Sequence, residues 1–437
     1  MNLPQPVQFC IDMLEAAGYA AYAVGGCVRD ALLGHTPHDY DLCTAATPEE
    51  ICTIFGAFPL VTAGRKHGTI GVVLGGAVYE ITTFRTEGNY TDSRHPGWVA
   101  FVPDIEQDLA RRDFTVNAMA YSPTRGFADP FGGQSDLKNK ILRAVGDPSQ
   151  RFEEDALRIL RGVRFAVRFG LYPEEKTLDA MKKLSPRLEN ISAERIFDEL
   201  CKLLPLVTAE DLQTFASILG QILPELQATI GFQQHNAHHA YDVFTHTAHV
   251  TGTVPGQLTL RWATLLHDIG KPATFTMDDG GQGHFYGHAE QSAQMADAVL
   301  RRLKAPNALR EQVVQLVQLH MLRLEPEKKL VRRWMGRLGA ETLDALLLLQ
   351  EADMGSKGTG KPTNTAQFDL IRDLISQIRT ENACLSLKDL AVNGRDLIAL
   401  GYEGPAIGKK LNFLLEQVLE EALPNEKDAL LNAVKQP

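Results

Sequence analysis

A change of hydrophobic period near residue 150 is the feature that most limits what this chain can fold into. Before it, short runs rich in β-branched and aromatic residues recur, "YAAYAVGG", "HDYDLCTA" and "GTIGVVLGGAVYEITTFR", punctuated by Gly, Pro and Asp. Runs of that length and content read as strands. Within the third, "GVVLGGAVYEITTF" sets a Gly-Gly pair between two strand patterns, which is a hairpin signal. A helical stretch over 7–17 precedes the first strand. After residue 150 the apolar spacing is helical to the end of the chain. The expected fold class is therefore α+β, with a mixed sheet and helices in a head over 1–146 and an all-helical remainder. Connections at "PLVTAEDLQ" and "GFQQHNAHHAYD", and a Gly-, Ser-, Thr- and Lys-rich linker at 354–367, divide that remainder. The parts expected are a neck over 147–232, a histidine-rich domain over 233–356 and a tail over 357–437.

The net charge of −10 argues against a protein that coats nucleic acid or anionic membrane without selectivity, although it leaves room for a local basic stripe. The six cysteines are scattered with no C-x-x-C pair, so neither a zinc ribbon nor a disulfide framework is indicated. "MNLPQPVQFC" lacks the basic and apolar regions of a signal peptide, and no apolar run reaches membrane-spanning length. A cytoplasmic protein is expected, with no membrane and no stable protein partner.

Asp39 and Asp41 in "HDYDL" point to one face if the segment is extended. Two carboxylates converging form a hard-oxygen site suited to Mg²⁺ and to the phosphates Mg²⁺ carries. Upstream, Gly25 and Gly26 allow backbone amides close to a phosphate, and Arg29 follows in a helix that ends at Gly34. The same residues also suit a glycine turn with a surface arginine and solvated aspartates. Glu80 in "VYEITTF" is either a third carboxylate beside the pair or an edge-strand surface residue.

The stretch "VGGCVRDALLGHTPHDYDLCTAATPEE" resembles the signature of class II tRNA nucleotidyltransferases and bacterial poly(A) polymerases. The likeness continues in order through "RRDFTVNAMAY", "DPFGGQSDLKNKILRAVGDP", "RFEEDALRILRGVRFAVRFG" and "ISAERIFDEL", covering roughly residues 20–200. It implies a polymerase-β-like nucleotidyltransferase head in which Asp39 and Asp41 are catalytic and bind the metals. It also implies that Gly25, Gly26 and Arg29 contact a triphosphate. Arg111, Arg112, Asp113 and Asn117 match the positions that bind the nucleotide's phosphates and sugar.

On a helical wheel through 153–168, Ile159, Leu160, Val163, Ala166 and Val167 fall within an arc of about 120°, a core-facing stripe. Glu154, Arg158, Arg161, Arg164 and Arg168 occupy another face. Four arginines so close repel one another, so either an anionic partner lies along that face or solvent and i,i+4 pairs such as Glu154–Arg158 hold it. The family likeness favours a partner. Glu154, Asp155 and Arg158 match its E-D-x-x-R motif, in which Asp155 and Arg158 read C and A while Glu154 braces Arg158. A fixed carboxylate accepts from the exocyclic amine shared by C and A, and a guanidinium donates to ring acceptors. Arg161 and Arg164 are expected at the nucleotide, and with Arg168, Lys182 and Lys183 along the RNA backbone.

The histidine-rich section carries His246 and His249 in "HTAHV", His267 and Asp268 in "LLHDIGKP", His288, His320 and Asp353. Adjacent His-Asp, with an upstream His and a downstream Asp, is a mixed N/O metal set. It resembles the HD phosphohydrolase domain, which implies His246, His267, Asp268 and Asp353 as ligands of a second divalent metal. His288 and His320 match extra histidines of some members. Three activities follow as expectations. The first is template-independent addition of CCA to the tRNA 3′ end from CTP and ATP. The second is A addition alone or poly(A) synthesis. The third, of another class, is HD phosphohydrolysis with an RNA-binding head. The segment "EGNYTDSRHPGWVAFVPDIEQDLARRDFT" looks complete, favouring CCA or A addition over CC addition, and the C-terminal stretch lacks a poly(A) polymerase's basic tail.

Overall fold

The computed structural model describes residues 1–88, 99–359, 365–381 and 384–435. Most of the aspartate-to-"RRDFT" segment is described, but its residues 89–98 lie outside that set. The chain forms two compact units, Met1–Leu206 with Phe215–Leu223, and Val207–Thr214 with Pro224–Pro437.

The first unit is built on a seven-stranded sheet. Helix α1 (Gln5–Ala16) has a proline in its first turn and buries Val7, Cys10, Ile11 and Leu14, one stripe at helical spacing. Strand β1 (Ala21–Val24) leads through Gly25 into α2 (Gly26–Leu32), and β2 (Asp41–Thr44) follows. A capping box between Thr47 and Glu50 starts α3 (Pro48–Ile54). Strands β3 (Leu60–Val61), β4 (Thr69–Leu74) and β5 (Ala77–Thr83) come next, and the hairpin turns at Gly75-Gly76, both at positive φ. A separate ribbon pairs β6 (Arg85–Glu87) with β7 (Val99–Phe101). Helix α4 (Ile105–Ala110), β8 (Ala120–Ser122), β9 (Gly126–Ala128) and α5 (Gly133–Lys138) complete the head. The sheet order is β3-β4-β5-β2-β1-β8-β9, with only β2 and β5 parallel. Tyr22, Val24, Cys43 and Ala120 cover one face of it with Phe84, Leu109, Ala118 and Val145.

The helix expected through 153–168 is two helices. α6 (Pro148–Glu154) ends before Asp155, which is extended at φ −144° and ψ 103°, and α7 (Leu157–Phe169) begins after it. The Asp155 carboxylate accepts from the Leu157 backbone N–H at 3.0 Å, and this local bond competes with helix continuation. Of the expected apolar stripe, Ile159, Leu160, Val163 and Ala166 are buried and Val167 is half-buried. Gly162 lets α7 close on the head, since a Cβ there would lie 2.8 Å from the Phe114 ring. α8 (Glu175–Leu184) and α9 (Ala193–Leu203) pack beside α6 and α7.

The second unit is helical apart from a two-stranded ribbon, Thr276–Met277 with Gly283–His284. Its helices include Val243–Thr253, Leu258–Leu266, His288–Arg302, Asn307–Leu319 and Ala340–Gly355. The linker expected over 354–367 is shorter than its composition suggests. The helix Ala340–Gly355 takes its first two residues and Ala366–Thr380 its last two, while 360–364 lie outside the described residues. Among the described residues no helix is long and apolar enough to cross a membrane.

Candidate active site and a histidine–aspartate centre

Gly25 caps α2 at φ 76° and ψ −123°, and a Cβ there would lie 2.9 Å from Arg112 Nη1. Glycine adopts that backbone without the strain a side chain would bring. The turn opens onto a cavity of about 480 Å³. Gly25, Gly26, Arg29, Arg111, Arg112, Asp113, Asn117, Asp155, Arg158, Arg161 and Arg164 all line it, with Asp41 at one margin and Arg168 at another. Of the residues expected at a nucleotide, only Glu154 stands outside. It is held behind Arg158 by an ion pair of 2.8 Å, the bracing position expected of it.

The cavity is ordered by a continuous polar chain. Arg29 donates from Nε and Nη2 to Asp30 at 2.9 and 2.7 Å, and from Nη1 to Asn117 Oδ1. Asn117 donates to Asp113 Oδ1 at 3.0 Å, and Arg161 donates to Asp113 Oδ2 at 2.9 and 2.8 Å. Burial alone would raise the Asp113 carboxyl, but Arg161 and the Asn117 amide outweigh it and hold the pKa down at about 2. Arg164 donates to Glu199 at 2.6 Å. Asp108 pairs with Arg111 at 2.8 Å and Arg112 at 3.2 Å. Phe165 and Phe169 stack on α7, with the Arg29 guanidinium 4.2 Å from the Phe169 centroid and that of Arg164 4.4 Å from Phe165.

This answers the arginine face differently from the sequence. Its anionic partners are largely internal: Glu154 for Arg158, Asp113 for Arg161 and Glu199 for Arg164. Of the residues expected along the RNA backbone, Arg164 is buried and paired with Glu199, and Arg161 is half-buried and paired with Asp113. Arg168, Lys182 and Lys183 are exposed. Eight arginines line the cavity against three aspartates, with Asp30, Asp108, Glu154 and Glu199 behind them. Arg112 Nε is buried with no hydrogen-bond partner among the described residues, an orphaned donor at the cavity wall.

Sequence reasoning missed Arg195. It lines the cavity and donates to Asp155 Oδ2 at 2.8 Å, while Asp155 Oδ1 takes the Leu157 N–H. The carboxylate is thus fixed from two sides. Arg195 lies in "ISAERIFDEL", but no periodicity links it to a residue 40 positions earlier. Asp108 was findable, since Arg111 and Arg112 stand at i+3 and i+4 from it.

Asp41 opens β2, and Asp39 precedes the strand, yet both line a second cavity of about 620 Å³. Burial raises the Asp41 pKa and Asp39 adds to the rise, with Arg112 opposing. Glu80 stands beside Asp41, because Leu42 pairs with Ile81 across the parallel strands and the preceding residues share the opposite face.

In the second unit, His246, His267, Asp268, His288, His320 and Asp353 converge. Asp268 Oδ2 lies 3.2 Å from His267 Nε2, 3.6 Å from His246 Nε2 and 2.7 Å from Lys271 Nζ. Its Oδ1 lies 3.5 Å from His288 Nε2 and 3.9 Å from His320 Nε2, and Asp353 meets His246 Nε2 at 2.9 Å. Each imidazole turns Nδ1 to a backbone carbonyl, of Ser356, Thr264, Phe285 and Val317 in turn. That fixes the tautomer with the Nε2 lone pair facing inward. His288 and His320 then bring two Nε2 lone pairs within 3.2 Å of each other. Burial keeps His320 neutral by lowering its pKa to about 4. Two facing lone pairs repel, so the donor set fits a cation held among them. His249 is elsewhere, stacked on Tyr241.

Comparison with known proteins matches three family models: "Poly A polymerase head domain" over residues 21–143, "Probable RNA and SrmB- binding site of polymerase A" over 170–229, and "tRNA nucleotidyltransferase domain 2 putative" over 284–434. The CCA-adding enzyme of Streptococcus mutans is 34% identical over 441 residues, 99% of this chain and 98% of the relative. That of Levilactobacillus brevis is 36% identical over 448 residues, again 99% and 98%. The solved Bacillus stearothermophilus CCA-adding enzyme in complex with CTP has a TM-score of 0.72 and 29% identity, covering 100% of this chain and 98% of the other.

Proposed function

This chain belongs to the CCA-adding enzymes, and we propose that its first unit adds C, C and A to the 3′ end of tRNA from CTP and ATP, releasing pyrophosphate. The observation that carries the reading is the arginine-lined cavity that joins the Gly25 turn, Asp41 and the Asp155–Arg158 pair. In this reading Arg111, Arg112 and the Gly25-Gly26 backbone, which line the cavity, face the triphosphate. Asp113 and Asn117 hold Arg29 and Arg161 in place, and Arg29, with three of its nitrogens already bonded, offers its remaining N–H groups to phosphate.

Asp39 and Asp41, with Glu80 beside them, would hold Mg²⁺. Crowded carboxylates, one with a raised pKa, make a hard-oxygen set short of a cation. Bound there, the ion supplies acidification of the attacking 3′-hydroxyl and neutralises charge on the leaving pyrophosphate. Asp155, oriented by Arg195 and Leu157, accepts from the exocyclic amine of C or A. Arg158 keeps Nε–H and one Nη2–H for ring acceptors, because its other donors go to Glu154, Arg151 O and Arg111 O. On the Watson–Crick edge U carries no amine, and G sets an N1–H donor rather than an acceptor beside its amine, which opposes the Arg158 donors, so both are rejected. Arg168, Lys182 and Lys183 steer the acceptor stem by charge. The division into head (1–146), neck (147–232), HD domain (233–356) and tail (357–437) belongs to the same proposal, as does a cytoplasmic setting.

The test supplies tRNA ending before CCA, at C, or at CC with labelled CTP, ATP, UTP or GTP and Mg²⁺. Incorporation of C, C and A without U or G is expected. Failure to extend any substrate refutes the reading, and extension of the CC-ended tRNA alone converts it to A addition.

A second activity is favoured by the facing lone pairs of His288 and His320. His246, His267, Asp268 and Asp353 would hold a divalent ion in an HD-type centre, with His288 and His320 on the other oxygen of Asp268. Such an ion supplies activation of water and polarisation of a phosphate ester. Phosphatase or phosphodiesterase activity that survives loss of Asp39 and Asp41 but not of Asp268 is the expected result.

A further inference from the structure

We propose that the 3′-terminal nucleoside of the acceptor strand is received on an apolar shelf of the head sheet, formed by Val61 and Val78 beside Glu80 and Asp41. This rests on the nucleotidyltransferase reading above and adds to it a site for the second substrate.

Two cavities meet at Asp41, and their chemistry differs. The one of about 480 Å³ is lined by arginines and suits a triphosphate. The other, about 620 Å³, is lined by Asp39, Asp41 and Glu80 with Pro4, His38, Ala77, Val78 and two tyrosines, so three carboxylates face one imidazole and no arginine or lysine. A second triphosphate would be repelled there. A nucleoside, with an apolar base face and a hydroxyl edge, would not.

The sheet register supplies the surface. Val61 pairs with Gly71 and Gly71 pairs with Glu80, and Glu80 stands beside Asp41 on the next strand. These residues form one row across β3, β4, β5 and β2, at about 4.8 Å per strand. Val78, two residues before Glu80, shares its face. Gly71 lets the two valines close over the backbone: a Cβ there would lie 2.8 Å from Val78 Cγ1 and 3.1 Å from Val61 Cβ. The valines themselves are open to solvent, at 52% and 45% exposure. The result is a smooth apolar strip that runs up to the carboxylates.

Reaction geometry selects the occupant. In-line displacement requires the attacking hydroxyl and the leaving pyrophosphate on opposite sides of the α-phosphorus. The arginine-lined cavity takes the pyrophosphate, so the hydroxyl enters from the other flank of Asp41, which is the shelf. Unpaired RNA ends are commonly held through a base face, and an apolar strip serves all the bases that occur at successive stages of growth.

The full chain is tested with tRNA ending at CC and labelled ATP, comparing wild type, Val78→Glu and Val78→Ile. Val78→Glu should slow single-turnover extension about tenfold or more, the scale of one lost apolar valine contact. ATP affinity by equilibrium binding and the melting temperature should stay unchanged, and Val78→Ile should extend normally. In wild type, tRNA carrying a 3′-terminal 4-thiouridine should cross-link to the peptide containing Val78, a readout independent of how the variant folds. Extension by Val78→Glu at the wild-type rate overturns the proposal, as does a matching loss of ATP affinity or a cross-link elsewhere. A wild-type chain that extends no tRNA refutes the proposed function instead.

Discussion

Replacing Arg195 with alanine removes the 2.8 Å ion pair on Asp155 Oδ2, in which the two side chains are 24% and 15% exposed. A hydrogen bond to a charged group contributes about 1.5–3 kcal/mol when well shielded. Solvent screening at this partly open pair lowers that to about 1–2 kcal/mol. The Leu157 N–H still holds Oδ1, so the carboxylate is not lost but can swing about that remaining bond. With about 1.4 kcal/mol per tenfold, kcat/KM for CTP and ATP should fall about 5- to 30-fold. Selectivity should suffer as well. A fixed Asp155 repels the carbonyl oxygen that uracil carries where cytosine has its amine, and a mobile one can turn aside. The ratio of CTP to UTP incorporation should therefore fall further than the CTP rate alone. The assay is single-nucleotide extension of CCA-less tRNA with each triphosphate, beside thermal melting. Arg195→Lys keeps one donor and a charge, so it should recover part of the ratio. A melting temperature that drops by a few degrees with the CTP-to-UTP ratio unchanged would refute the reasoning, leaving Arg195 a structural brace between α9 and the α6–α7 junction.

Asp113→Asn should destabilise the chain at pH 6 by roughly 2 kcal/mol in urea unfolding, because Asp113 is held at about 2 against an ordinary value near 3.8. The sign follows from a depressed carboxyl: its stabilisation is present above pH 4 and disappears as the pH falls toward 2, so wild type and variant should converge there. Gly25→Ala places a side chain at φ 76° and against Arg112, and should raise KM for CTP while leaving tRNA affinity unchanged. Such backbone strain costs about 1–3 kcal/mol. Metal analysis of the purified chain should find a divalent ion that Asp268→Ala and His320→Ala lose. Asp39→Ala with Asp41→Ala should abolish nucleotide incorporation without altering that content.

The head was legible because its signals are local. Gly75-Gly76 turns the hairpin where the sequence puts it, and the motifs from Gly25 to Arg164 meet in one cavity although they are spread over 140 positions. What stayed hidden depends on long-range pairing. A wheel through 153–168 assumes a continuous helix and cannot see that the side chain of Asp155 interrupts it two residues before Leu157. The arginine face announced a need for negative charge, but periodicity cannot say that Asp113 and Glu199, 48 and 35 positions away, supply it from within. In the second unit the histidines were visible as residues. The backbone carbonyls that accept from their Nδ1 atoms were not, and these turn four Nε2 atoms toward one another, as the proposed ligand set requires.

The two centres manage crowded carboxylates in opposite ways, and the contrast bears on how each works. Asp268 and Asp353 are enclosed with Lys271 and four imidazoles, and both carboxyls are held below their ordinary range despite burial. Their charge is compensated by the fold itself. Asp41 has no such shell: Asp39 adds repulsion, Arg112 is the cation that opposes it, and the carboxyl titrates above its ordinary value. Arg112 is also committed to Asp108 and stands against the Gly25 turn. The arginine that opposes the rise at Asp41 therefore also serves Asp108 and borders the Gly25 turn, so the carboxylate pair and the arginine-lined cavity share one cation.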